Sequence, residues 1–114
     1  MSQAAMDAGA FAEMKEMMGD TFADIVALCL QSLPEQLSDI EAAIENTDAE
    51  QLFNIAHKMK SACGSIGAFG LAEKAQILEL IGRNGSTDVP EQALNELHDA
   101  ANQVITILND ELTA

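Results

Sequence analysis

The sequence predicts an all-α fold, an up-and-down four-helix bundle with a short N-terminal helix, and two observations carry that prediction. The chain has no Trp, no Tyr and four Phe among 114 residues but is rich in Ala, Leu, Met, Glu and Gln, a composition that favours helices and offers little to a sheet. Apolar residues also recur at three-and-four spacing through four long segments, and the breaks between them are short and built of turn residues. This length suffices for one hydrophobic core and not for two. A single domain is therefore expected over 10–114, after a polar tail over 1–9.

The elements follow in order. FAEMKEMM, residues 11–18, makes a short amphipathic helix stopped by Gly19, and Asp20 is expected to cap the next. From Thr21 to about Asn46 the stripe Phe22, Ile25, Val26, Cys29, Leu30, Leu33, Leu37, Ile40 and Ile44 keeps helical phase. Pro34 lies inside it, where proline removes a hydrogen bond and clashes with the preceding turn. Ser32 and Glu35 could start a new helix there as a capping box. Because the stripe does not change phase, a kinked but continuous helix is the better expectation. Asp48 with Gln51 opens the next helix, whose inner face is Leu52, Ile55, Ala56, Met59, Cys63 and Ile66; Gly67 and Gly70 bracket its end. Leu71, Ala75, Leu78 and Ile81 define a further helix that gives way at RNGSTD. Asp88, Pro90 and Glu91 launch the last, with Leu94, Leu97, Ala101, Val104 and Leu108 facing inward.

Charge narrows the function. Nineteen acids against five bases give a net charge of −14, which repels phosphate backbones and anionic lipid, so neither nucleic acid nor membrane is an expected partner. No apolar run reaches the length of a membrane span, and MSQAAMDAGA lacks the basic start and apolar core of a signal peptide. A cytoplasmic protein is expected. Cys29 and Cys63 lie in apolar stretches without zinc-site spacing and read as core thiols. His98, among acids in NELHDA, reads as structural or solvated.

One window breaks the acidic pattern. Between Glu50 and Glu73 there is no acid, although acids make up roughly one residue in six, and the window holds His57, Lys58 and Lys60. At about 100° per residue, His57 falls about 150° from the centre of its helix's apolar stripe and points to solvent. Its neighbours on that face are Phe53 one turn before, Lys60 and Ser61 one turn after, and Gly64 two turns after. Small residues on an exposed helical face cost helix propensity but leave room for another protein to approach the ring. Phe53 is expected to be an exposed apolar anchor for that partner.

A neutral imidazole is a competent nucleophile at cytosolic pH and can take a phosphoryl group. Lys60 can offset the charge of the phosphoryl oxygens, with Lys58 assisting from the flank. The second ring nitrogen needs an acceptor that fixes the tautomer; on the next helix Glu79 is the first candidate and Gln76 the second. The chain has no Gly-rich phosphate loop and no evident magnesium cluster, so the phosphate must come from one protein and leave to another.

AHKMKSACGSIGA resembles the signature of histidine phosphotransfer (HPt) domains, in which His, any residue, a Leu-like residue and Lys precede small residues and a Gly. Here these are His57, Lys58, Met59 and Lys60, then Ala62, Gly64 and Gly67. The likeness extends over roughly residues 10–110 to the helix order, the proline-containing helix before the histidine helix and the Leu78–Glu79 pair; Ser61 stands where the family usually has Gly. The resemblance implies a phosphorelay intermediate without kinase activity or cofactor of its own. His57 would be the phosphoacceptor, Lys60 its electrostatic aid and Glu79 the tautomer-fixing residue, with Phe53, Lys58, Ser61, Gly64 and Ser65 on the docking face. The implied partners are the receiver domains of a hybrid sensor kinase and of a response regulator, any Mg being held by the receiver, and the protein would act as a monomer. Two rivals stand beside this: a phosphate-independent adaptor using the same face, and an acidic helical bundle unrelated to signalling. The second leaves the acid-free window unexplained.

Overall fold

The computed structural model describes residues 4–113, which form helices and turns with no strand among them. The order is α1 (Ala8–Met18), a 3-10 turn (Gly19–Thr21), α2 (Phe22–Glu45), α3 (Ala49–Ser65), α4 (Phe69–Arg83) and α5 (Glu91–Thr113). Helices α2 to α5 pack as a ring in which α3 lies against α2 and α4, and α5 against α4 and α2. At 24 residues, α2 is about 36 Å long at 1.5 Å per residue, close to the 41 Å long dimension of the molecule.

The core is one cluster fed by all four long helices. Val26 and Ile40 of α2, Leu52, Met59 and Cys63 of α3, Leu71 and Leu78 of α4, and Leu97, Val104 and Leu108 of α5 are all fully buried. These residues come from the stripes that the spacing defines, because a helix with one apolar face removes that face from water only by packing it on others. Burial raises the Cys29 thiol and, with Cys29 adding to it, pushes Cys63 up to about 12. At neutral pH Cys63 is thus a protonated, apolar packing group.

Helix ends show where local chemistry sets the boundaries. Asp7 caps α1, its carboxylate accepting from the Ala10 N–H at 2.9 Å, and Asp48 caps α3 by accepting from Gln51 at 3.1 Å. Asp20 does not cap α2. The backbone of Thr21, just before the helix, is already helical at φ −80° and ψ −11°, so the 3-10 turn runs directly into α2 and leaves no extended cap position for a side chain to serve. Helix α2 continues through Pro34 without a break, in line with the unchanged phase of its stripe. Two residues past its end Thr47 sits at φ +56°, a left-handed conformation that is rare for a β-branched residue; the Asp48 N–H then reaches back to the Ala43 carbonyl at 2.8 Å.

Helix α3 ends in a Schellman turn. Gly67 sits at φ +84°, where a side chain would be strained, and the Ala68 N–H donates to the Cys63 carbonyl at 2.8 Å. Residues 1–3 of the expected tail lie outside the described residues, and the polar tail drawn to residue 9 is corrected from residue 4 on. Ala5 and Met6 are buried, and the Asp7 N–H donates to the Gly67 carbonyl at 2.8 Å. The segment lies along the turn between α3 and α4, where the Leu71 N–H also donates to the Ala5 carbonyl at 3.3 Å, and burial of its apolar side chains holds it there. Among the described residues no helix is long and apolar enough to cross a membrane.

Candidate functional site

The site is built on two neighbouring helices, α3 and α4, the most extensively packed pair in the molecule. Their approach is close because Gly82 of α4 faces the α3 backbone. A Cβ added there would lie 2.7 Å from the Phe53 nitrogen and 2.9 Å from the Ala49 carbonyl oxygen, distances that side-chain carbons do not adopt. Glu79 stands one turn before Gly82 on α4, and His57 one turn after Phe53 on α3. Contact at Gly82 therefore draws the Glu79 carboxylate up to the imidazole.

Among the described residues Glu79 is the one charged residue that is buried, 6% exposed, and both its oxygens are engaged. Oε2 lies 2.5 Å from His57 Nδ1 and Oε1 accepts from Lys60 Nζ at 2.6 Å. The hydrogen bond from Lys60 is the strongest influence holding the Glu79 carboxyl below its ordinary range; burial opposes it and the bond to His57 adds to it. An ionised Glu79 accepts only, so Nδ1 carries the ring proton and Nε2 keeps its lone pair. The imidazole side chain is 54% exposed, so that lone pair belongs to the solvent-facing part of the site.

Other residues of the face separate into open and covered. Gly64 is exposed and a Cβ built on it meets nothing within 4 Å; Lys58, Ser61 and Ser65 are exposed as well. The Ser65 hydroxyl donates to the Ala62 carbonyl at 2.8 Å. Gln76 is exposed, and the acceptor at Nδ1 is Glu79. Phe53 differs from expectation: it is half-buried, and its ring stacks on His57 with centroids 5.8 Å apart and planes 16° from parallel. A wheel drawn for α3 alone leaves Phe53 exposed, but α4 lies over it through Gly82 and Arg83. Lys60 is directed at Glu79 and not outward to solvent, since the buried carboxylate is the nearest site for its charge.

Arg83 is the residue that the sequence reading missed. Its guanidinium carbon lies 6.0 Å from the Phe53 ring centroid, which adds a cation to the aromatic pair. The signal was present in its spacing, four residues after Glu79 and hence on the same side of α4. Among the described residues no group of three or more His, Cys, Asp or Glu side chains is placed to hold a metal. His98 stands away from this cluster, 3.3 Å from Glu41 across α5 and α2.

The family model for the Hpt domain matches residues 24–107. Histidine-containing phosphotransfer protein B (HptB) from Pseudomonas aeruginosa PAO1 superposes with a TM-score of 0.89 at 23% identity, covering 98% of this chain and 97% of that one. The HPT domain of a sensor hybrid histidine kinase from Shewanella superposes with a TM-score of 0.79 at 17% identity, covering 96% and 95%. At these identities the two structures establish a shared fold. No curated protein matches the chain.

Proposed function

This chain belongs to the Hpt domain family of phosphorelay intermediates, and from that premise we propose that it carries the phosphoryl group on Nε2 of His57. The observation that supports this most is the two-sided hold on Glu79, by His57 Nδ1 at 2.5 Å and Lys60 at 2.6 Å, beneath an imidazole open to solvent.

In acceptance, the Nε2 lone pair forms the N–P bond while the P–O bond to a receiver aspartate breaks and its electron pair returns to that carboxylate. The ring then bears positive charge with its proton still on Nδ1, and the fixed carboxylate of Glu79 stabilises that charge without moving. In donation the same charge makes the ring a good leaving group, and Nε2 recovers its lone pair. Lys60 keeps Glu79 ionised and places its own charge beside the ring. Phe53 holds the plane of the imidazole, while Lys58, Ser61, Gly64 and Ser65 border the surface on which a receiver settles. Ser61 is still small enough to let it approach.

The partners follow from the family's two-component context: the receiver domain of a hybrid sensor kinase as donor and that of a response regulator as acceptor, in the cytoplasm. The protein works as a monomer, without kinase activity or cofactor, and the Mg that phosphoryl transfer uses is held by the receiver.

Incubation with a phosphorylated receiver domain tests the reading. Acid-labile, base-stable label is expected on the wild type and absent from His57→Gln. A folded wild type that takes no label would leave only the adaptor, and label persisting in His57→Gln would move the site to His98.

A further inference from the structure

The distribution of the five basic residues leads beyond this reading and rests on it. Lys15 pairs with Glu111 at 2.7 Å and Lys74 with Glu96 at 3.1 Å, both away from the histidine. Lys60 pairs with Glu79 at 2.6 Å, so these two groups together contribute no net charge, and the single positive charge of the phosphorylated ring does not fully balance a phosphoryl group of about −1.5 to −2. A site in a protein of net charge −14 thus needs positive charge from elsewhere. Among the described residues Lys58 and Arg83 alone have no carboxylate at ion-pair distance. Lys58 is exposed and next to His57 in sequence, which turns it about 100° around the helix from the ring. Arg83 is held in place: its guanidinium lies against the Phe53 ring, 6.0 Å from the centroid, and the same ring stacks on His57.

We propose that Arg83 is a second cation for the phosphoryl group on His57, resting on Phe53 in the unphosphorylated protein and swinging onto the phosphoryl oxygens as the N–P bond forms. Three features fit that role. The guanidinium presents a planar fork of donors that matches two phosphoryl oxygens at once. Its contact with Phe53 is a weak exposed cation–π interaction, easily exchanged for a stronger bond to an anion. Its approach is also complementary to that of Lys60, which is one turn after His57 on α3, whereas Arg83 reaches the ring past Phe53, one turn before. Together they would flank the phosphoryl group from both ends of the same helical face.

The full-length protein and a small donor separate this role from docking. With phosphoramidate, Nε2 attacks phosphorus, the P–N bond breaks and the electron pair leaves with ammonia, so no receiver surface is involved. Arg83→Ala is expected to slow this labelling about tenfold, equivalent to about 1.4 kcal/mol, and to slow transfer from a phosphorylated receiver by a similar factor. Arg83→Lys should recover part of the loss. Lys15→Ala, which removes the same charge at α1, should leave both rates unchanged. Because Arg83 is exposed, its variants keep the bundle, which circular dichroism verifies. An Arg83→Ala protein that labels normally with phosphoramidate but slowly with the receiver would overturn the proposal and make Arg83 a docking residue. An equal loss in Lys15→Ala would overturn it in favour of net charge. Absence of label on the wild type from either donor would remove the phosphoacceptor reading itself, whereas normal wild-type labelling with no effect at Arg83 removes this inference alone.

Discussion

Glu79 brings a buried negative charge to a point where two donors meet it, so its ionisation bears on stability as well as on chemistry. Its carboxyl is held below the ordinary range, chiefly by the hydrogen bond from Lys60. A group whose folded pKa is depressed stabilises the native state above its unfolded pKa and loses that contribution as pH falls through the lower folded value. Glu79→Gln keeps the shape but sets an amide where Lys60 or His57 needs an acceptor, and should cost about 1–3 kcal/mol at neutral pH. Urea denaturation of both proteins from pH 7 downward should show that gap closing once the pH drops below the ordinary carboxylate range. Contributions common to both proteins cancel in the difference. A gap that stayed constant or widened on acidification would show that Glu79 is not held ionised by its partners. This residue was accessible from sequence because the imidazole needs an acceptor on the next helix and Glu79, ahead of Gln76, borders the apolar stripe there. For Arg83 the spacing from Glu79 shows only which side of α4 it shares; its contact with the Phe53 ring depends on how closely α4 approaches, which spacing does not report.

That approach belongs to the scale of the element. The order, length and inner faces of the four long helices could be read from apolar spacing, because each stripe reports on its own helix. What spacing does not report is the distance and rotation between two helices, which depend on where small residues let backbones meet. Gly82 is such a place. The sequence shows only a glycine near a helix end, whereas in the fold its missing Cβ is what lets the Phe53 and Ala49 backbone lie close. The same limit explains the corrected N-terminus: nothing in the short segment Ala5–Met6 announces that the α3–α4 turn leaves room for it. Gly82→Ala should gain up to about 1 kcal/mol of helix propensity but lose about 1–3 kcal/mol to overpacking, since backbone must move. A net loss of stability is expected. Helix α4 would shift outward and lengthen the bonds from Glu79 to His57 and Lys60, and the imidazole would no longer favour the Nδ1–H tautomer so strongly. Chemical denaturation reads the first effect and imidazole 15N shifts the second. A variant as stable as the parent with an unchanged tautomer ratio would mean that Gly82 does not set the spacing of the site.

For the molecule as a whole the governing quantity is charge. The total of −14 was plain in the sequence, and so was the acid-free window; the fold adds that Lys15, Lys60 and Lys74 are each committed to a carboxylate. Fourteen unbalanced negative charges on a body of 41 × 28 × 19 Å repel one another more in the compact state than in the expanded chain. Two opposing responses to salt follow. Screening weakens the partly exposed pair Lys15–Glu111, though a surface pair contributes only about 0–1 kcal/mol, and it affects the largely buried Lys60–Glu79 pair still less. It also relieves the repulsion, which acts between many charges at once and over the whole surface. The second effect wins, so the melting temperature at pH 7 should rise with NaCl, most steeply between about 0.01 and 0.15 M, where the Debye length falls from about 30 Å to about 8 Å. Calorimetry across that range measures it. A melting temperature that fell with salt would show that the ion pairs, and not the excess of acid, dominate the electrostatic stability of this bundle.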